Sequence, residues 1–257
     1  MRALIKIGGA LLEEPAGRRR LAAEIGAAAR GGVQIVVVHG GGRQITRLLA
    51  ERGVESRFIN GLRVTTPEVL EALLQAVAGT VNQELVAAFI AEGAAAVGLS
   101  GMDGLLTEAE PLAAELGAVG RPVRSNAGLL DILVANGYLP VVACLAGDRA
   151  GRFYNVNADQ MAVACATAFR ADKLVFLTDV EGVRDAANMI LPEVDERVCR
   201  RLIEDGVATG GMRAKLEAAL LAVRDGVGET VIGPGARPGI LEKLLGGARA
   251  GTRLARA

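Results

Sequence analysis

Short runs of valine and isoleucine alternate with longer stretches of helical apolar spacing along nearly the whole chain. The pattern predicts strands over 2–7, 33–38, 94–99, 139–145, 173–178 and 229–232. Helices are expected over 17–30, 43–52, 127–136, 157–169, 195–205 and 211–224. One or two more are expected over 67–91, and a hairpin within 104–124. Parallel strands need crossovers long enough to hold a helix, so this alternation dictates an α/β fold. A largely parallel sheet is covered by helices on both faces. Ligands in such folds sit beyond the carboxyl ends of the strands. No tandem repeat, low-complexity run or long linker interrupts the 257 residues, and the boundary between two joined lobes is expected within 155–172.

Four of those strand ends are rich in glycine: IKIGGALL, VVVHGGGRQ, VGLSGMDG and FLTDVEGV. One glycine after a strand is a turn. Four such ends on one sheet point to a phosphate or nucleotide site, where backbone N–H groups meet phosphate oxygens. Neither familiar phosphate loop is present. No GxxxxGK[ST] occurs, and Ile45 stands where the third glycine of GxGxxG would fall after Gly40 and Gly42.

Composition narrows the function further. The 29 basic and 29 acidic residues cancel, which argues against a general nucleic-acid or membrane-surface binder. The apolar stretch 129–146 is broken by Asp131, Asn136, Gly137 and Pro140, so no membrane span is expected there. The N-terminus runs directly into a strand pattern, so a cytoplasmic protein without a signal peptide is expected. Cys144, Cys165 and Cys199 have no metal-ligand or CxxC spacing and read as buried free thiols. Arg18, Arg19 and Arg20 read as a solvated helix face. Only four basic residues are lysines, namely Lys6, Lys173, Lys215 and Lys243. Where arginine serves almost everywhere else, a lysine marks a place for a compact ammonium.

The polar candidates are few. His39 is the only histidine and, set before three glycines, reads as structural or supporting. Arg63 in NGLRVT sits in a turn between short strand-like segments and could fork a carboxylate. In NVNADQ, Asn157 is placed to cap a helix, with Asn155 and Asp159 alongside. Gly210 and Gly211 precede a helix with Lys215 one turn in, an arrangement that favours polyphosphate. No His/Cys cluster suggests zinc.

In chain order, KIGG, HGGG, NGLRVT, VGLSGMDG, NVNADQ, LTDVEGV and GGMRAKLEA together resemble the amino-acid kinase family. NGLRVT and NVNADQ resemble its acetylglutamate kinase branch in particular. The resemblance covers the chain nearly end to end. It implies one domain, 1–257, folded as a three-layer αβα sandwich around a mainly parallel sheet, as in carbamate kinases. The N-terminal half, about 1–154, would bind the acyl amino acid, and the C-terminal half, about 155–257, ATP.

By position, the resemblance implies that Lys6 and Lys215 flank the transferring phosphoryl group and that Asp159 holds their ammonium groups. It implies backbone N–H groups from Gly8, Gly9, Gly41 and Gly42 near the γ-phosphate and substrate. Arg63 and Asn155 would bind the α-carboxylate end of N-acetyl-L-glutamate. Asp179, Val180, Glu181, Gly182, Val183 and Arg184, with Val207, Ala208, Thr209, Gly210 and Gly211, would line the ATP site. The implied cofactors are ATP and Mg2+, with no dedicated metal-ligating residues.

The nucleophile would be a side-chain carboxylate, ionised at neutral pH from a pKa of about 4.3. No general base is then required, which suits a chain with one histidine. A homodimer is implied, without the extra N-terminal helix that joins arginine-inhibited relatives into hexamers, because a strand begins at residue 2. Nothing points to a particular nitrogen-signalling partner. Met102 stands where relatives commonly have lysine. Two rival readings are a kinase for N-acetylaminoadipate or carrier-linked aminoadipate, and a non-catalytic nucleotide or amino-acid sensor. NGLRVT weighs against the first; Lys6, Asp159 and Lys215 together weigh against the second.

Overall fold

The computed structural model of the chain describes residues 1–248 and 250–255. The first half runs β1 (Arg2–Ile7), α1 (Pro15–Arg30), β2 (Gln34–His39), α2 (Gly42–Glu51), β3 (Phe58–Ile59), β4 (Leu62–Arg63), α3 (Pro67–Leu73) and α4 (Asn82–Ala91). It continues through β5 (Ala96–Ser100), β6 (Thr107–Pro111), β7 (Gly120–Ser125), α5 (Gly128–Ala135), β8 (Leu139–Ala143), β9 (Leu145–Gly147) and β10 (Phe153–Asn155). The second half adds α6 (Ala158–Ala168), β11 (Lys173–Thr178), α7 (Glu196–Glu204), α8 (Gly210–Arg224), β12 (Glu229–Pro234), α9 (Ile240–Leu245) and β13 (Thr252–Ala255).

The main sheet has the order β13-β12-β11-β1-β2-β8-β5, parallel throughout except for β13. Alternation along its strands sorts side chains onto two faces. Leu4, Val36, Val38 and Phe176 join one core with Met161, Ala162 and Leu216 of α6 and α8. Ile5, Ile7, Val37 and Leu177 join the other with Leu21, Ile25, Leu85, Phe89 and Leu244 of α1, α4 and α9. Strands buried on both faces read as continuous apolar runs, which is why β1, β2 and β11 were visible in the sequence. The result is the expected αβα sandwich.

Several elements depart from the sequence reading. The strand expected over 139–145 breaks at Cys144, whose carbonyl accepts the Val156 N–H. Beyond it the chain enters a second sheet, β10-β9-β6-β7, in which the expected hairpin forms from β6 and β7. An unbroken apolar run carries no sign of such a change of sheet. Strands β10 and β13 and helix α9 were not anticipated, being too short to show a period. Arg18 and Arg20 are not a solvated face. Arg18 binds the Leu12 and Glu13 carbonyls, and Arg20 binds Glu24 and the carbonyls of Gly235 and Arg237.

Residues Pro67–Ala91 form one continuous rod, with a π-helical stretch, Leu74–Val81, between α3 and α4. Its length and apolarity would suffice to cross a bilayer. Here Val69, Leu73, Val77, Val81, Leu85 and Phe89 are buried within the fold, so it is a core helix. All three cysteines are buried and free.

Candidate active site

Lys6 lies near the end of β1, on the α6 face of the sheet, and is 6% exposed. Asp159 occupies the first turn of α6 and is 5% exposed. Asn157 caps that helix as expected, accepting the N–H groups of Asp159 and Gln160. The Lys6 ammonium stands 2.7 Å from Asp159 Oδ1, off the direction of a hydrogen bond, as an ion pair. Lys215, one turn into α8, donates to Asp159 Oδ2 at 3.3 Å and to the Gly211 carbonyl at 3.4 Å. One carboxylate therefore fixes two ammonium groups. Burial alone would push the Asp159 carboxyl up. The charges of Lys6 and Lys215, with the hydrogen bond from Lys215, overcome burial and hold it below the ordinary range. The trio carries a net charge of +1, suited to anions that gain negative charge as they react.

The glycine loops are less uniform than the sequence suggested. The Gly8 N–H is already donated to the Leu177 carbonyl at 2.9 Å, so Gly8 supplies the sheet rather than a phosphate. A Cβ at Gly40 would stand 3.3 Å from Ala158 Cβ, and one at Gly41 would stand 3.1 Å from Val77 Cγ2. These two glycines are dictated by the protein's own packing. Gly42 faces open space, and a Cβ at Gly9 would lie 3.6 Å from the Gly42 nitrogen. The two loops thus meet at Gly9 and Gly42, with open space beside Gly42. Helix α2 begins at Gly42, so its unpaired N–H groups and dipole favour an anion there.

Arg63 is 8% exposed beneath this loop. It donates to Ser56 Oγ, to Thr46 Oγ1 at 2.8 Å and to the Gly42 carbonyl at 3.2 Å, and stacks 4.7 Å over Phe58. Three of the five guanidinium N–H groups are used, leaving two. Burial lowers its pKa and no carboxylate counters the effect. A buried cation lacking a protein counter-charge is a seat for an anion. Asn155 reaches the same region through Thr65: its Nδ2 donates to Thr65 Oγ1 at 3.0 Å, which donates to the Arg63 carbonyl at 2.9 Å.

The segment after β11 divides in two. Asp179 and Val180 are exposed, and Asp179 accepts from Thr178 Oγ1 at 3.0 Å. Glu181 pairs with Arg237 at 2.7 Å. Gly182 and Val183 turn inward, and the Val183 N–H donates to Thr252 Oγ1 at 2.8 Å. Arg184 is tied to Asn188 and so braces its own turn. In the second loop Ala208 is buried, whereas Thr209, Gly210 and Gly211 are exposed. Gly210 opens α8 at φ +49, a conformation that favours glycine, and bares the helix N-terminus toward Lys215.

The chain matches the Amino acid kinase family over residues 1–234. It belongs to that family. It is 56% identical over 254 residues to an acetylglutamate kinase of Solibacter usitatus, covering 99% of both chains. It is 44% identical to an acetylglutamate kinase of Geobacillus stearothermophilus, covering 89% of this chain and 88% of that one. The N-acetylglutamate synthase of Neisseria gonorrhoeae, solved with coenzyme A and N-acetyl-glutamate, superposes with a TM-score of 0.89 at 26% identity. All of this chain is covered, against 59% of that longer one.

In this amino-acid kinase the structure brings the motif residues Lys6, Asp159 and Lys215 together, and the residues that brace the neighbouring loops lie outside those motifs or depend on distant partners. Thr65 lies inside NGLRVT, but its role depends on Asn155 ninety positions away, a partner that no local pattern reveals. Asn82 and Thr252 had no local signal at all.

Proposed function

We propose that this kinase transfers the γ-phosphoryl group of ATP to the side-chain carboxylate of N-acetyl-L-glutamate. The product is N-acetyl-L-glutamyl 5-phosphate, in the second step of arginine biosynthesis. A carboxylate oxygen forms a bond to the γ-phosphorus as the bond to the β,γ-bridging oxygen breaks, and ADP departs. No proton moves, so no general base is needed. The observation that carries this reading is Asp159 held between two ammonium groups 2.7 and 3.3 Å away. Lys6 and Lys215 would offset charge on the phosphoryl oxygens and on the bridging oxygen. Arg63 would take the α-carboxylate with its two spare N–H groups. Gly9, Gly42 and the α8 N-terminus would meet the phosphates.

Among the described residues, no three His, Cys, Asp or Glu side chains form a metal site. A magnesium ion entering with ATP would be held by phosphate oxygens and waters and would supply neutralisation of phosphate charge.

The functional unit would be a homodimer. Strand β5 is an edge of the main sheet, with Val97 and Leu99 only half-buried, and the flanking helices expose Ile90 by 57% and Ile132 by 63%. A second copy would cover this apolar edge. Light scattering of the native protein and of Val97→Lys tests it, the variant being expected to run as a monomer.

Trapping acyl phosphate with hydroxylamine decides the substrate. N-acetyl-L-glutamate, N-acetyl-L-aminoadipate, L-glutamate and L-aspartate are compared. The first is expected to dominate. Preference for the longer acid would keep the chemistry and change the pathway, and ATP binding without ADP release would indicate a sensor.

A further inference from the structure

His39 is fully buried, makes no contact with the ion-paired trio, and is not used by the chemistry above. Its two ring nitrogens are both engaged. Nδ1 lies 3.0 Å from the Gly40 carbonyl oxygen, which can only accept, so Nδ1 carries the proton. Nε2 lies 2.9 Å from Asn82 Nδ2, and that same amide nitrogen lies 2.9 Å from the Val141 carbonyl. Both Asn82 N–H groups are thereby donated, and Nε2 must accept. The network has one consistent solution: a neutral imidazole protonated on Nδ1. Asn82 is itself 2% exposed and cannot turn toward solvent. Its Oδ1 lies against Gly98, where any Cβ would collide with it.

The consequence falls on the next peptide. There is no cis bond among the described residues, so the Gly40 carbonyl and the Gly41 N–H point in opposite directions across one plane. Alternation along β2 puts His39 with Ile35 and Val37, on the face packed by α1 and α4. Lys6 falls with Leu4 on the opposite face, where α6 holds Asp159. Drawing the Gly40 oxygen toward His39 therefore turns the Gly41 N–H toward the reacting groups. No acceptor among the described residues takes that N–H. The reverse orientation would aim a carbonyl oxygen at two incoming anions.

We infer that His39, locked by Asn82, is a positioning residue that sets the Gly40–Gly41 peptide so that its N–H, not its carbonyl, faces the anionic substrates. The inference rests on the kinase reading for the identity of those anions. The geometry of the loop stands independently of it.

Two substitutions separate the ring nitrogens. His39→Asn places an amide N–H where Nδ1 was and keeps the bond to Gly40. His39→Gln reaches only the Nε2 position, so it keeps Asn82 company and releases Gly40. Expected is a loss of about 10- to 100-fold in kcat/KM for N-acetylglutamate in His39→Gln, with KM for ATP little changed. His39→Asn is expected to recover most of that loss. A purely structural histidine would make the two variants equal, or would move both KM values together; either result overturns the inference.

Because His39 is the only histidine, 15N NMR of the labelled wild-type protein reads its tautomer without needing either variant to fold. A neutral Nδ1–H ring is expected, and an Nε2–H ring would overturn the inference. Wild-type hydroxamate formation is measured in the same series. Failure there would remove the substrate assignment while the tautomer still decided the loop.

Discussion

Lys6, Asp159 and His39 are each 6% exposed or less and sit on a strand or in the first turn of a helix. Asp179, Val180, Thr209, Gly210 and Gly211, by contrast, lie exposed on loops or at a helix start. One end of the candidate site is fixed by burial and ion pairing. The other is an open rim with a few anchors behind it. Phosphoryl transfer rewards reacting groups fixed to within a fraction of an ångström. A nucleotide that must enter and leave once per turnover is served by loops of low local stability. Substitutions at the buried end should therefore act on kcat and on global stability, and those at the rim on ATP binding.

The sharpest break in that division would come from Lys215→Ala. On the proposed assignment it removes one of the two ammonium groups that would meet the transferring phosphoryl group, and it leaves Asp159 to Lys6 alone. A fall in kcat of about 10²- to 10³-fold is expected, the scale of losing one preorganised charge donor, with a much smaller change in KM for N-acetylglutamate. Steady-state kinetics with both substrates varied checks it. An effect confined to KM would mean that Lys215 belongs to the rim.

Acid should unfold the buried end early. Burial lowers the His39 pKa from 6.5 to about 4. The unfolded chain binds a proton there below pH 6.5 and the folded protein does not until near pH 4. Stability therefore falls as pH drops through that window and rises with pH across it. The full effect is about 3 kcal/mol, from 1.36 kcal/mol per unit. Asp159 adds in the same direction at lower pH, because its folded pKa lies below its ordinary value and protonation removes the charge that both lysines need. Urea unfolding at pH 7, 6 and 5 tests the histidine contribution. His39→Asn should flatten the slope, and an unchanged slope would assign it to carboxylates elsewhere.

If Arg63 seats the substrate carboxylate as proposed, Arg63→Ala should raise KM for N-acetylglutamate by about 10- to 100-fold and alter kcat less. Arg63→Lys should restore little, since an ammonium cannot reach Ser56, Thr46 and the Gly42 carbonyl while leaving two donors free.

The same division governs what the sequence disclosed. β1, β2 and β11 show as apolar runs because both faces are buried, and Asn157 shows as a cap because its partners lie two and three residues on. Lys6 and Lys215 stand out against a background of arginine. Their convergence on Asp159 is a contact across 153 and 56 residues, which no local pattern records. Asn82 gives no sign that it faces a histidine, because it lies in a helix of ordinary composition. Glycine proved ambiguous for a physical reason: a missing side chain can make room for a ligand, as at Gly42, or for the protein, as at Gly40 and Gly41.

The smallest expected effect tests the rim alone. Thr252 of β13 is 1% exposed, accepts the Val183 N–H at 2.8 Å and donates to the Leu191 carbonyl at 2.6 Å. It ties the loop after β11 to the far edge of the sheet. Thr252→Val keeps the shape and leaves both backbone groups unpaired in a dry setting, at a cost of about 1 to 3 kcal/mol. Most of that cost should appear as loosening of the loop, because the strand remains paired with β12 through neighbouring residues. KM for ATP is expected to rise severalfold, with KM for N-acetylglutamate and kcat at saturating ATP nearly unchanged. Equal movement of both KM values would show that the rim and the buried end are one cooperative unit, and that Thr252 supports the reacting groups as directly as it supports the nucleotide loop.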